Sequence, residues 1–344
     1  MTARRLCLVS RIPGVAGPAS FQQRLADGLA ARGIGVSYHL DDRPYYAILV
    51  IGGTKDLPGL IRARRRGTPV IQRLDGMNWI HRKVPTGLRH SLRAEFNNRI
   101  LSAIRRRLAD GIVYQSEFVR AWWEREAGPV TCSVNVVHNG VPLDVFTPHG
   151  AETPPADHHR LLVVEANFGG GYETGLEAAV ALAERLHQEK GARLELVIAG
   201  RASEPIRHKW ANLDLPIRWL GLVPMKDLPA LLRSAHLAYA ADINPACPNT
   251  VIEAMACGLP VVAFDTGALP ELVTGDAGRL APYGGNPWQL EPPDIDGLAQ
   301  AAREVLKGQA KQRPAARARA EAAFGLDRMV DGYLAALGWD AHSG

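Results

Sequence analysis

Asp242-Ile-Asn-Pro-Ala-Cys-Pro-Asn-Thr-Val-Ile-Glu-Ala-Met-Ala-Cys-Gly-Leu-Pro-Val-Val-Ala-Phe264 is the stretch that decides the fold. An apolar run, Ala235 to Ala240, ends just before it and reads as a strand. Two prolines make the next residues a loop. A helix is expected from about Asn249, ending at Gly258, because glycine is the residue that closes helices. Pro260-Val-Val then opens another strand. Strand, loop, helix, strand is the repeating unit of a parallel sheet, and the helix opens at the carboxyl edge, where ligands bind in such folds. Its free N–H groups and its dipole favour an anion such as a diphosphate. Glu253 lies about one turn into this helix, and helical side chains lean back toward the N-terminus. A carboxylate beside a phosphate site has a purpose if it accepts hydrogen bonds from the two hydroxyls of a ribose. A glutamate in an early helical turn, favoured there by the dipole alone, is the other reading.

The same alternation extends both ways. Before it come Leu6–Val9, Val36–Tyr38, Ala47–Ile51, Pro69–Ile71, Gly111–Tyr114 and Asn135–Val137 as strands, with helices such as Ser20–Arg32 and Leu57–Arg66 between them. Residues 141–159 break the rhythm with four prolines and two adjacent histidines. The strands then resume at Leu161–Val164, Leu194–Ala199, Arg218–Leu220, Ala235–Ala240 and Pro260–Phe264. Apolar strands separated by helices mean parallel sheets covered on both faces. The expected class is α/β, with two Rossmann-like doubly wound domains: 1–148, then 149–325, with a last helix within 326–344 expected to pack back on the first domain.

Composition fits this reading. With 344 residues, 47 % of them apolar and 22 % charged, the chain has the profile of an ordinary globular protein. Its four cysteines form no C-x-x-C pair, so neither a zinc knuckle nor a disulfide framework is expected. No stretch of about 18 apolar residues marks a spanning helix, and the N-terminus has no signal-peptide core. A cytoplasmic location is the expectation. The net charge of +5 is unevenly divided: residues 1–148 carry 22 basic and 11 acidic residues, and residues 149–344 carry 18 and 24. Residues 61–107 alone hold 13 Lys and Arg against Asp75 and Glu95.

Glu253-Ala-Met-Ala-Cys-Gly-Leu-Pro-Val-Val-Ala263, followed by Thr266-Gly-Ala-Leu-Pro-Glu-Leu-Val273, resembles the nucleotide-sugar motif of the family-four retaining glycosyltransferases of the GT-B fold. Asn139-Gly-Val-Pro-Leu-Asp-Val-Phe-Thr-Pro148 is similar to that family's inter-domain segment, and Gln115-Ser-Glu-Phe-Val119 to the helix before it. Leu220-Gly-Leu-Val-Pro224 with Leu228-Pro-Ala-Leu-Leu232 is similar to the segment that frames the nucleobase. The resemblance implies a nucleotide diphosphate sugar as donor, two domains facing across a cleft, no metal or other cofactor, and work in cell-envelope glycan biosynthesis. Glu253 would hold the ribose, and the amides of Asn249, Thr250 and Val251 the diphosphate. Backbone at Gly221 and Val223 would meet the base. The loop from Gly14 to Ala19, including Gly17, would face the diphosphate from the first domain; a plain strand-to-helix turn accounts for it equally well.

The chain departs from the family at several points. The family's first motif glutamate falls at Pro245, which cannot serve as that acid. The Arg and Lys that clamp the diphosphate in many members are missing from Val164-Glu-Ala-Asn-Phe-Gly-Gly-Gly-Tyr-Glu-Thr-Gly175. A glycine-rich turn at Gly170 would bind phosphate through amides, and Arg201 would replace the cation unless it is an ordinary surface arginine. The family's His beside an acid is absent after Pro69–Ile71. Asp75 is the candidate there, with a turn-forming role as the alternative, and His81 is a second candidate. Asp294-Ile-Asp296 is read as a helix cap and not as a metal pair. The basic segment, lacking aromatic platforms, points to an anionic or membrane-associated acceptor at the inner membrane face rather than to nucleic acid. Arg-rich solvated helix faces explain it as well. Transfer with retention is the expected function. The alternatives are a weakly catalytic sugar-nucleotide-binding or scaffold protein, and a GT-B nucleotide-sugar isomerase.

Overall fold

The computed structural model describes residues 4–9, 11–14, 17–169, 173–189 and 193–339. The chain separates into two compact units, Met1–Gly140 with Gly325–Gly344, and Val141–Phe324.

The first unit contains β1 (Arg5–Val9), α1 (Gly17–Ala30), β2 (Gly35–Ser37), β3 (Ala47–Ile51), α2 (Leu57–Arg65), β4 (Val70–Leu74), α3 (Leu88–Arg107), β5 (Gly111–Tyr114), α4 (Glu117–Ala127) and β6 (Ser133–Val136). All strands pair in parallel in the order β2-β1-β3-β4-β5-β6, so the chain reverses direction between β1 and β3. The run Ala-Ile-Leu-Val-Ile of β3 is buried throughout, as a strand covered on both faces requires. Helix starts follow the capping chemistry in the sequence: the Asp56 carboxylate accepts from the Gly59 amide, and the Ser116 hydroxyl from the Val119 amide.

The second unit contains β7 (His159–Asn167), α5 (Glu173–His187), β8 (Leu194–Arg201), α6 (Glu204–His208), β9 (Ile217–Gly221), α7 (Leu228–Arg233), β10 (Leu237–Tyr239), α8 (Asn249–Ala256), β11 (Val261–Phe264), α9 (Leu269–Leu272), β12 (Gly278–Ala281), α10 (Ile295–Lys307) and α11 (Gln309–Ala323). Its parallel sheet runs β12-β11-β10-β7-β8-β9, with the reversal between β7 and β10. A core of Leu, Ile, Val and Ala from β7, β8, α5 and α10 fills one side of this sheet.

The last helix, α12 (Leu326–Ala336), belongs to the first unit. Met329, Val330 and Tyr333 are buried with Phe21, Leu25 and Leu29 of α1. Three such side chains each contribute roughly 1.5–3 kcal/mol of burial, enough to hold a short helix that would not persist alone.

The first division falls at Gly140/Val141, earlier than the expected position at 148. Asn139 is buried in the first unit, where it accepts from Arg73, while Phe146 is buried in the second and its carbonyl accepts from Arg317 of α11. Val141 and Phe146 thus anchor the start of the proline-rich stretch in the second unit. α10 starts at Ile295 with Asp294 as its cap, accepting from the Gly297 amide at 3.0 Å, as the sequence suggests.

Candidate functional site

In the second unit the chain reverses between β7 and β10, and the carboxyl ends of these two neighbours carry Glu165 and Asp242. This is the position at which doubly wound sheets bind ligands. The β7–β8 register shifts between Val164 and Asn167, so the ladder is interrupted at Glu165. Such irregularities re-aim side chains at strand ends. Glu165 and Asp242 are half-buried, and Glu253, in the second turn of α8, is 2 % exposed. Burial pushes the Glu165 carboxyl well above its ordinary range, and the charges of Asp242 and Glu253 push it further in the same direction. Asp242 is raised chiefly by burial, against the opposing effect of the Ile243 amide. Burial and mutual repulsion therefore favour the neutral forms of Glu165 and Asp242.

The loop that follows is held in one shape. Asn244 adopts a left-handed conformation with φ 57°, and the Pro245 carbonyl accepts from the Ala268 amide at 2.8 Å. Gly267, at φ 61°, packs so tightly against Pro245 that a Cβ would overlap its ring. Pro245, where the family's first motif acid would stand, thus serves as a loop wedge. Helix α8 begins at Asn249 with no side chain capping its N-terminus, so its first amides remain available to an anion. The Asn249 side-chain oxygen and the Asn244 side-chain nitrogen are buried with no hydrogen-bond partner. At its other end α8 closes as expected: Leu259 donates to the Ala254 carbonyl at 2.9 Å, and Gly258 lies at φ 68°. At the start of α5, Gly175 lies against the Ala241 backbone, where a Cβ would overlap the carbonyl oxygen. That helix start is thereby brought next to Asp242.

The second unit therefore gathers Glu253, Asn249, Thr250 and Val251 in one helix. Arg201 is the last residue of β8, exposed, and forms no ion pair among the described residues. Gly221 ends β9 at φ 66°, exposed, with open space around its Cα, and Val223 is half-buried two residues on. Gly170 lies outside the described residues. Glu165, Asp242 and Asn244 join the site without having been singled out in the sequence. The signal for Glu165 was available, since it stands in the segment where the expected clamp was missing. Asp294 is the cap of α10, and Asp296 pairs with Arg185 at 2.7 Å. Among the described residues no three His, Cys, Asp or Glu side chains are grouped to hold a metal ion.

In the first unit Gly17 is the first residue of α1, with open space around its Cα. Asp75 follows β4 directly. Its carbonyl accepts from the Trp123 indole at 2.7 Å, and burial raises its carboxyl above the usual range against the pull of Arg73. His81, in a short turn from Ile80 to Arg82, is 4 % exposed at its side chain, and its Nε2 lies 2.9 Å from the Glu95 carboxylate. Glu95 is also gripped by Arg82 at 2.7 Å, which holds its carboxyl down at about 2. No hydrogen bond or ion pair joins His81 to Asp75 among the described residues. The buried His81 side chain and the partly exposed Glu95 form a brace between this turn and α3.

Residues 161–308 match the family model described as glycosyl transferases group 1. This segment is similar to the group 1 glycosyltransferases. The group 1 segment runs from β7 to the end of α10 and so holds every residue of the carboxylate and helix-terminus site. The chain is 28 % identical over 238 residues to the GDP-mannose-dependent alpha-(1-6)-phosphatidylinositol dimannoside mannosyltransferase of Mycobacterium tuberculosis, covering 67 % of this chain and 58 % of that protein. It spans about half the length of the curated relatives it matches. Its fold is GT-B. Sucrose-phosphate synthase of Thermosynechococcus elongatus superposes with a TM-score of 0.74 at 18 % identity, covering 96 % of this chain and 97 % of that one. HepE of Anabaena, solved in complex with UDP-glucose, gives 0.70 at 16 % identity, covering 97 % and 99 %. Among the described residues no helix is long and apolar enough to cross a membrane.

Proposed function

We propose that the chain is a retaining glycosyltransferase that takes a sugar from a nucleotide diphosphate sugar bound in its group 1 segment. The observation that carries this reading is the uncapped start of α8 beside the buried Glu253 at the sheet's reversal point. The α8 amides meet the diphosphate, and Glu253 accepts the two ribose hydroxyls. Backbone near Gly221 and Val223 faces the base. Gly17 approaches the phosphates from the first unit. Arg201 gives the diphosphate a modest charge contact, and no metal takes part. The sugar leaves with its bonding pair going to the diphosphate oxygen, and the acceptor hydroxyl attacks from the same face, delivering its proton to that departing oxygen. Asp75 accepts a hydrogen bond from a neighbouring hydroxyl of the acceptor and so orients the attacking one. His81 acts through its brace to Glu95, keeping the turn after Asp75 in place.

The names of relatives, among them a phosphatidylinositol mannoside mannosyltransferase, support an anionic or lipid-linked acceptor at the inner face of a cytoplasmic membrane and a place in cell-envelope glycan synthesis. The test is donor turnover across UDP-, GDP- and ADP-sugars, with and without candidate acceptors. Transfer with retained anomeric configuration is expected from one of these donors. Tight nucleotide binding with no transfer to any acceptor overturns the enzyme reading in favour of a binding protein. A changed sugar on the same nucleotide indicates an isomerase.

A further inference from the structure

Helix α3 is apolar on two opposite faces. One face packs inward through Ala94, Leu101 and Ile104. On the other, Leu88, Leu92 and Phe96 stand at 76 %, 63 % and 55 % exposure, at intervals of four residues along one stripe. Isolated exposed leucines are ordinary, whereas three aligned large apolar side chains on one helix face form a continuous patch that water penalises.

The surroundings of the stripe identify its partner. Arg89, Arg93 and Arg99 flank it, are exposed, and have no ion pair or hydrogen bond among the described residues. Three other arginines of the basic segment are engaged elsewhere. Arg105 is buried against the Tyr114 hydroxyl and the Gly128 carbonyl, Arg64 holds Asp110, and Arg82 holds Glu95. The one acid of α3, Glu95, is occupied by Arg82 and His81 and so does not offset the flanking arginines. Exposed apolar side chains bordered by uncompensated cations match the boundary of an anionic bilayer. There the apolar groups enter the acyl edge and the arginines meet phosphate headgroups.

We propose that the outward face of α3 docks on an anionic membrane surface, with Leu88, Leu92 and Phe96 inserted and Arg89, Arg93 and Arg99 on the headgroups. The stripe lies wholly in the first unit and is independent of the transferase reading, so a chain without transfer activity tests this surface equally well.

The experiment is co-sedimentation of the full chain with phosphatidylcholine vesicles, with and without about one-third phosphatidylglycerol. Binding is expected only with the anionic lipid, and raising salt tenfold should release most of the protein. L92S/F96S should lower partitioning about tenfold with the circular dichroism spectrum and melting temperature unchanged, and R89S/R93S should lower it several-fold. Phe96→Trp should show a blue-shifted emission that brominated acyl chains quench. Equal binding to neutral and anionic vesicles overturns the proposal, as does L92S/F96S binding like the wild type. A vesicle-free dimer dispersed by L92S/F96S also overturns it, because the stripe would then be covered by a second copy of the chain.

Discussion

At the carboxyl end of β4 the first unit places a single acid, Asp75, whereas the second places Glu165, Asp242 and Glu253 around one helix start. Both units repeat the same doubly wound plan of six parallel strands. Their charges are opposite: the first holds 23 basic and 13 acidic residues, the second 17 and 22. Burial raises the carboxyls of Asp75, Glu165 and Asp242 alike. A perturbed acid therefore does not distinguish the two halves. The difference is α8, whose start has no side-chain cap and on our proposal offers its amides to an anion. A diphosphate brought to ionised Glu165 and Asp242 would be repelled, and their raised values keep that repulsion small at moderate pH.

The largest effect should break the first half while sparing the second. Asp75→Asn is expected to lower kcat about 100-fold, within the range lost with an acid–base or hydroxyl-orienting group. Nucleotide diphosphate affinity should stay the same in calorimetry, because the proposed nucleotide contacts do not include Asp75. Equal loss of both would show that the halves do not divide the work in this way.

Glu253→Ala should do the reverse. Removing hydrogen bonds to a charged acceptor costs about 1.5–3 kcal/mol, or roughly 10- to 100-fold in nucleotide affinity. A melting curve controls for folding, since Glu253 is buried.

Acidity gives a third, smaller contrast. Glu165 and Asp242 have folded-state values above their ordinary 4.5 and 3.8, so the fold favours their neutral forms. That contribution is complete below the ordinary values and is lost as pH rises through the raised ones. Nucleotide diphosphate affinity should therefore fall several-fold with rising pH over this window, read by titration from about pH 5 to about pH 9. Glu165→Gln should flatten the curve. Affinity that rises with pH would mean the carboxylates act in ionised form.

Arg201→Ala should have the smallest effect. An exposed arginine contributes about 0.2–1 kcal/mol to a contact with an anion, so affinity should drop no more than about fivefold, and less at high salt.

How much of this could be read in the sequence follows from where the information lies. The strands of the second unit and α8 are continuous apolar runs ended by Gly258 and by proline, a local pattern, and the motif around Glu253 adds a family resemblance to it. The boundary at 140 was not readable, because it depends on whether Phe146 and Asn139 pack with one unit or the other, a tertiary choice. Helix α11 contains Pro314 and is rich in Ala and Arg, so its pattern gives no clean stop or stripe. In the site, Glu253 and Asn249 stood in a motif. Glu165 acquires its role only when β10, 70 residues later in the chain, is laid beside β7. His81 looked like a catalytic group by proximity to Asp75 in sequence, while its ring is taken by Glu95. The two faces of α3 are likewise indistinguishable until the core claims one of them.

The central claim is that Glu253 holds the ribose of a nucleotide whose diphosphate sits on α8. The direct measurement is a calorimetric cycle with the diphosphate of the preferred base and its 2′,3′-dideoxy analogue, on the wild type and on Glu253→Ala. The account predicts that removing the diol and removing the carboxylate cost the same affinity, and that removing both costs no more than either. Fully additive losses, or an analogue that binds the wild type as tightly as the parent nucleotide, would contradict it.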